Sequence, residues 1–558
     1  MQAGEEKNEN RSDCTEGLDG EAARLCGDGA AKHDCDPEIS LPLVNSPRPG
    51  LCGDEGAEKN RKKLSPGMVL IGSEIIRAVH RLAQKRKEEV YLVGGAVRDF
   101  LLKRPTGKDF DFVLLGKVGD LAKELARHIS GTAFLLDEAF GTWRVVVKKA
   151  EGGSELDFCA LQGENILADL RQRDFTVNSL AIRLADILQT DNPLVIDPLG
   201  GLADLRKKIL RANSEEALRQ DPLRMLRAFR FAYTLEMGIE EKTQGMIRRN
   251  SDLIRKPAGE RVRNELFAAL NETRAAHFLR DLYRAGLLPK LFPEIAEWDG
   301  LRQGPHSDRS LLEHALQTVE AGEFLLSHLR DFFPFQAQAL EQHLGQNLGE
   351  GISRRALFKF ECFFHDSGKP KTRTQAPETK AFRFLDHDQE GQRINERLAK
   401  RLKLSRRATR ILSELTRQHM RLASLAKGGT MTGRAKYRFF YDMGKEGLDL
   451  ILLSLANAAG AEKFSDSAPP FQTPSKGLKK VLEIGRELFR YFGEDFSGQA
   501  PGLLLNGEEI MKALGLSQSP LVGRLLGMLK EAEIGGRVGS KEEALQFIKN
   551  IDISRPLV

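Results

Sequence analysis

Residues Leu92-Val-Gly-Gly-Ala-Val-Arg-Asp99 set a Gly94-Gly95 pair between an apolar run and a stretch of helical character, and Lys108-Asp109-Phe110-Asp111 heads the next apolar run. Side chains alternate faces along a strand, so Asp109 and Asp111 point the same way. A glycine turn leaves backbone N–H groups open to phosphate oxygens, and two carboxylates on one face are hard ligands for Mg²⁺. These are the parts needed to hold a divalent cation against a nucleoside triphosphate, and the chemistry they imply is nucleotidyl transfer. Asp157, in Glu155-Leu-Asp-Phe-Cys159, joins them as a third acid if its strand pairs beside the first. It would accept the proton of an attacking hydroxyl or complete the coordination of the metal.

Two further segments carry matching chemistry. In Arg171-Gln-Arg-Asp-Phe-Thr-Val-Asn178, the planar fork of Arg173 suits phosphate oxygens. Asp174 and Asn178 share one face if a helix starts there. In Asp221-Pro-Leu-Arg-Met-Leu-Arg-Ala-Phe-Arg230, Asp221 is placed to cap a helix with Pro222 in its first turn. Steps of three residues move about 60° around a helix axis. Asp221, Arg224, Arg227 and Arg230 therefore occupy one half, and Met225, Leu226, Phe229 and Ala232 the other. An acceptor beside a fork of donors, Asp221 with Arg224, can hydrogen-bond a base edge, and Arg227 and Arg230 continue towards phosphates.

The elements that must position these groups follow from periodicity. Val90–Val93, Phe110–Leu115, Phe134–Leu136, Trp143–Val147 and Leu156–Cys159 read as strands, with helices before Val90 and over Ala96–Leu102. Strand signals then nearly vanish, and amphipathic helical segments dominate. The expected architecture is α+β: an acidic disordered tail over 1–65, a sheet domain over 66–195, a helical segment over 196–290, a helical body over 291–462, a linker and helix over 463–499, and a small helical module over 500–558. A chain of 558 residues is long enough for several domains. The net charge of +6 is uneven: residues 1–60 carry −8, which leaves +14 on the rest, a balance suited to a polyanionic partner. Cys14, Cys26, Cys35 and Cys52 lack C-x-x-C spacing and are expected as free thiols; Cys159 and Cys362 lie in apolar runs and should be packed. Without an apolar run of spanning length or a signal-like amino terminus, the expectation is a cytoplasmic protein with no membrane partner.

In order and spacing these segments resemble the class II tRNA nucleotidyltransferase and poly(A) polymerase family. Leu92–Asp111 is similar to its first motif and Arg173–Asn178 to its second. Asp197-Pro-Leu-Gly-Gly-Leu-Ala-Asp-Leu205 is similar to the third, Asp221–Arg230 to the fourth, and Glu260-Arg-Val-Arg-Asn-Glu-Leu266 to the fifth. The resemblance implies a polymerase-β-like sheet domain followed by a helical nucleotide- and RNA-binding neck over 196–290. It also implies two Mg²⁺ ions on Asp109 and Asp111, triphosphate contacts from the Gly94-Gly95 turn, Arg98 and Arg173, and an amino-acid template for CTP or ATP made by Asp221 and Arg224 with help from Arg227 and Arg230. The implied partner is a tRNA or other RNA 3′ end. The family's fourth motif usually begins Glu-Asp, whereas here it begins Gln220-Asp221.

His314, His365, Asp366, His387 and His419 resemble the scattered ligands of an HD phosphohydrolase domain, which implies a divalent transition metal in the helical body. The late Asp that closes such sites is replaced by Asn457, a poorer ligand. Addition of CCA or part of it to tRNA is the leading expectation. Poly(A) polymerase, CC- or A-only addition, metal-dependent phosphohydrolysis and non-catalytic RNA binding are the alternatives. Arg397 to Arg410 and Arg434 to Arg438 supply a basic stretch, where Tyr437 and Phe439 are candidates for stacking on bases.

Overall fold

The computed structural model describes residues 74–104, 109–138, 141–147, 154–189, 193–302, 309–378, 382–428, 431–462, 469–494, 504–534 and 537–551. All of them lie in the compact unit Leu51–Val558. The expectations for the acidic tail and its four cysteines fall outside the described residues.

The fold is α+β. Its sheet takes β1 (Val90–Val93), β2 (Asp109–Leu114), β3 (Thr132–Asp137), β4 (Thr142–Val147), β5 (Ser154–Ala160), β6 (Ala181–Arg183) and β7 (Val195–Ile196) in the order β3-β4-β5-β2-β1-β6-β7. β2 and β5 are parallel, and every other neighbouring pair is antiparallel. The β2–β5 register sets Asp111 opposite Asp157 and Phe112 opposite Phe158. The two rings stack at 4.9 Å with no exposure, so the apolar face of the pair is locked into the core. Burying a side chain of that size stabilises by about 2–3 kcal/mol. A slip of one residue would bury the acids and expose the rings, which is why the register is strongly specified. Helices α1 (Glu74–Arg86) and α3 (Val118–His128) cover that face with Ile76, Val79, Leu121 and Leu125, while α2 (Gly95–Leu101) follows the glycine turn.

Helices dominate beyond the sheet, with two exceptions to the all-helical expectation. In the neck, β8 (Ile209–Leu210) runs parallel to β9 (Gly238–Ile239), and in the body β10 (Arg373–Gln375) pairs with β11 (Phe382–Phe384). Strands of two or three residues are too short for alternation to register in a sequence; the β8–β9 pair is held by Gly238 N donating to Lys208 O and Glu240 N to Leu210 O. The elements that matter below are α4 (Leu223–Thr234), α5 (Gly259–Asn271), α6 (Leu311–Ser327), α7 (Arg354–Phe364), α8 (His387–Arg401), α9 (Arg406–Gln418) and α10 (Glu446–Gly460). One apolar core runs from the sheet through these helices, while the carboxy-terminal module has its own around Leu505, Ile510, Leu525 and Leu529. Cys362 is buried and Cys159 half-buried, both as free thiols. Among the described residues no helix is long and apolar enough to cross a membrane.

Tyr437 and Phe439 are buried, which corrects their expected role as stacking platforms. The helix Gly433–Met443 turns them inward and spends its charges on neighbours: Arg434 on Glu531 and Lys436 on Glu487.

Candidate active site

Gly94 ends β1 with φ +69° and ψ −132°, a conformation that only glycine adopts without strain. A Cβ there would come within 3.3 Å of Arg173 Nη1 and 3.4 Å of Asp111 Oδ2. The turn thus draws the start of α2 against the acids. Asp109 and Asp111 are both exposed on the same face of β2. Asp111 opens to a cleft, but protein atoms crowd its other sides. That loss of water pushes its carboxyl up, Arg173 pulls it down, and Asp157 and Asp109 push it up again. A carboxylate in that position is stabilised by a cation, and an all-oxygen donor set suits a hard divalent ion.

Asp157 lies beside Asp111 across the β2–β5 register, and both of its oxygens accept from Arg144, at 2.7 Å from Nε and 2.8 Å from Nη2. Arg144 is the residue opposite Asp157 on β4 and also pairs with Glu155. Arg173 Nε is steadied by Asp169 at 3.1 Å, which leaves its outer nitrogens towards the glycine turn.

The second and fourth motifs form one polar chain. Arg98 Nη1 donates to Asn178 Oδ1 at 2.7 Å, and Asn178 Nδ2 donates to Asp174 Oδ1 at 3.1 Å. Arg227 donates to Asp174 Oδ2 from Nε and Nη2 at 3.0 and 2.9 Å, and from Nη1 to Glu265 Oε1 at 3.2 Å. Arg230 closes the chain on Glu265. Burial works against the charge on Asp174, but Arg227 and Asn178 outweigh it and hold the carboxyl below its usual range. Burial likewise opposes the charge on Arg227, and Asp174 and Glu265 restore it. The Phe231 ring lies under the guanidiniums of Arg98, Arg227 and Arg230 at 5.2, 5.2 and 4.1 Å.

Two local expectations need correction. Asp174 and Asn178 do not stand on an α-helix. Phe175 is extended and bridges Ala212, so only a 3₁₀ turn over Thr176–Asn178 follows, and the two side chains meet across it. Asp221 precedes α4 by one residue more than a simple cap: Pro222 holds the cap position while the Asp221 carboxylate accepts from Leu223 N at 3.3 Å. Asp221 and Arg224 do not bond each other. Asp221 Oδ2 accepts from Arg261 at 2.7 Å, and Arg224 Nη1 donates to the carbonyls of Gln172 and Ala217 at 3.0 and 3.2 Å.

Every acid, glycine and arginine expected from the sequence at the nucleotidyl-transfer site, together with Asn178, lines one open cavity of about 570 Å³, within the range of nucleotide-sized sites. Arg144, Glu155 and Phe231 line it too and were not singled out as site residues, and neither were Glu265 and Arg261 beside it. Glu265 and Arg261 had a signal, since both lie in the fifth motif. Arg144 had none, because its partner is assigned by strand register.

The histidines converge elsewhere, within the body. His314 on α6, His365 and Asp366 at the end of α7, His387 at the start of α8 and His419 after α9 surround the Asp366 carboxylate. His365 and His314 approach Oδ2 at 3.1 and 3.4 Å, His419 and His387 approach Oδ1 at 3.4 and 3.5 Å, and Lys369 bonds Oδ2 at 2.6 Å. The rings of His365, His387 and His419 donate from Nδ1 to the carbonyls of Cys362, Phe384 and Thr416, so their Nε2 lone pairs face inward. His387 and His419 then oppose bare nitrogens at 3.1 Å. His365 Nε2 and Asp366 Oδ1 are buried without hydrogen-bond partners. Burial pushes the His365 and His387 imidazoles down against the opposing pull of Asp366. Two overlapping triads that share Asp366 fit a metal ion. Asn457 is half-buried on α10.

Comparison with known proteins agrees with this geometry. Residues 90–211 match the poly A polymerase head domain, and residues 236–299 match the probable RNA and SrmB-binding site of polymerase A. The chain is 34% identical over 464 residues to the A-adding tRNA nucleotidyltransferase of Deinococcus radiodurans, covering 82% of this chain and 94% of that one. It is 34% identical over 470 residues to the CC-adding tRNA nucleotidyltransferase of Thermus thermophilus, covering 83% and 93%. In fold it is similar to the Thermotoga maritima CCA-adding enzyme complexed with tRNA CCA, with a TM-score of 0.52, 20% identity, and coverage of 85% and 94%. With relatives this similar matched over nearly their whole length, the chain belongs to the class II tRNA nucleotidyltransferase and poly(A) polymerase family.

Proposed function

We propose that this chain is a template-independent RNA nucleotidyltransferase that builds CCA, or part of it, at tRNA 3′ ends from CTP and ATP. The alignment of Asp109, Asp111 and Asp157 in one cavity with the Gly94 turn carries this reading. Family membership adds dependence on a divalent cation; Mg²⁺ is the ion that an all-oxygen set and a triphosphate favour. In the reaction, the RNA 3′-hydroxyl oxygen bonds to the α-phosphorus, the bond from the α-phosphorus to the bridging β-phosphate oxygen breaks to release pyrophosphate, and the hydroxyl proton passes to Asp157 or to solvent. The cations supply charge neutralisation and a lowered hydroxyl pKa.

The chain's own groups do the rest. Asp109 and Asp111 hold the cations, with Asp157 beside them. Arg173, braced by Asp169, and the Gly94-Gly95 amides hold the triphosphate. Arg98, Asn178, Asp174, Arg227 and Arg230 fix the cavity wall through their mutual bonds. Asp221 and Arg224 read the base: cytosine and adenine both place an exocyclic amino donor beside a ring-nitrogen acceptor, while uracil and guanine place a carbonyl oxygen there. Arg224 is pre-set for this by two carbonyls.

The test incubates the protein with tRNAs ending before CCA, after C and after CC, with each nucleotide supplied separately. Product lengths distinguish CCA, CC-only and A-only addition. A ladder of A residues on arbitrary RNA would instead mark a poly(A) polymerase, and no extension of any substrate would defeat the reading.

For the body, the inward lone pairs around Asp366 support a divalent transition metal held by His314, His365, Asp366, His387 and His419. Hydrolysis of 2′,3′-cyclic phosphates with Ni²⁺ or Mn²⁺ tests whether that site is catalytic despite Asn457.

A further inference from the structure

We propose that Arg144 is a positioning residue for nucleotidyl transfer: it fixes the orientation of Asp157 and acts as a counter-charge that limits how tightly the acid cluster holds a divalent cation. The inference rests on the nucleotidyltransferase reading above. Three strands carry Arg144, Asp157 and Asp111 side by side across the sheet. The guanidinium fork takes one lone pair of each Asp157 oxygen, so the carboxylate cannot rotate while a second lone pair on each oxygen stays available. Its remaining nitrogen pairs with Glu155. Four acids, Asp109, Asp111, Glu155 and Asp157, line this wall of the cavity, and Arg144 is the cation on the Asp157 side while Arg173 serves the Asp111 side. A mere cross-strand pair on an outer surface would not line the cavity. This one does, with its side chain only 27% exposed.

The charge and the fork make separable contributions. A unit positive charge a few ångströms from a bound divalent ion weakens binding about three- to tenfold even under aqueous screening. Loose orientation of a reacting-site carboxylate costs about tenfold or more in rate. Lysine keeps the charge but cannot grip both oxygens.

The experiment uses the full chain as wild type, Arg144→Gln, Arg144→Lys and Asp109→Ala. Mn²⁺ binding is followed by electron paramagnetic resonance without nucleotide, counting only the sites that Asp109→Ala removes. Steady-state kcat and KM for CTP and ATP are measured on tRNAs ending before CCA, after C and after CC. Arg144→Gln should bind Mn²⁺ about three- to tenfold tighter and lose about tenfold in kcat, with KM for the nucleotide within about twofold. Arg144→Lys should return Mn²⁺ affinity to the wild-type value while kcat stays low. The proposal is overturned if Arg144→Gln leaves both quantities unchanged, or if it lowers Mn²⁺ affinity and kcat together with the thermal midpoint, as a simple strut would. If wild type extends none of the tRNAs, the transferase reading itself fails; if Asp109→Ala still incorporates nucleotide, the metal assignment fails instead. If Asp109→Ala is inert and Arg144→Gln behaves as wild type, only the role of Arg144 falls.

Discussion

Replacing Glu265 by Ala on α5 is expected to loosen the wall that carries the base-reading helix. The carboxylate uses one oxygen for Arg227 and the other for Arg230. A hydrogen bond to a charged group contributes about 1.5–3 kcal/mol net, so two would give about 3–6 kcal/mol. The arginine side chains are 32% and 19% exposed, so water replaces part of what is lost. Arg227 also keeps both of its bonds to Asp174. Halving the sum for these two reasons leaves about 1.5–3 kcal/mol. If the sheet and neck melt as a unit of about 150–250 residues, each kcal/mol moves the midpoint by about 2–4 °C, so the first thermal transition should fall by about 3–12 °C. Glu265→Gln keeps the shape and one acceptor but turns an NH2 donor on the other guanidinium, so it should lose at least half as much. Differential scanning calorimetry reads the shift, and CTP and ATP incorporation by the same samples reads the cavity. If Glu265→Ala melts within a degree of wild type and incorporates both nucleotides normally, the polar chain does not support the wall.

Asp109→Ala or Asp111→Ala should abolish nucleotide incorporation while a filter-binding assay finds tRNA affinity nearly unchanged; incorporation surviving in both would refute the metal assignment. Arg224→Ala should degrade the choice between CTP and ATP more than the turnover of either, as read by competition with mixed nucleotides. Asp174 has a depressed carboxyl in the fold, so its contribution is present above its unfolded value of 3.8 and disappears as pH falls further towards the folded value. The stability gap between wild type and Asp174→Asn, measured by urea titration, should therefore hold from pH 7 to about pH 4 and narrow below it. Finally, Asp366→Ala should lower the bound transition metal found by elemental analysis of the purified protein, with incorporation of CTP and ATP unaffected; equal metal content would remove the body site.

Much of the cavity was legible because its determinants are local. Gly94 had to turn the chain, Asp109 and Asp111 had to share a face, and the spacing of Arg224, Arg227 and Arg230 fixed one side of a helix. Groups whose roles depend on distant partners were hidden. Arg144 acquires its place only when β4 and β5 pair in a particular register, and nothing in Trp143-Arg-Val-Val-Val147 announces an acid opposite. Arg227 and Arg230 read from sequence as phosphate ligands, whereas the fold commits them largely to Asp174 and Glu265. The histidines, drawn from four helices, could be grouped only by likeness to a known domain, since no short-range rule joins His314 to His419. The two-residue strands β8 and β9 lie below the length at which alternation carries information.

The continuous run of bonds from Arg98 through Asn178, Asp174 and Arg227 to Glu265 has a thermodynamic corollary. Each member spends its bonding capacity on the next, so a displacement of α4 by an ill-fitting base is transmitted to the helix beside the phosphates. Linkage is reciprocal: whatever free energy a correct base lends to the grip on the triphosphate, that grip returns to the choice of base. Selection in such a molecule is a property of the whole relay, since base and triphosphate raise each other's affinity by the same factor.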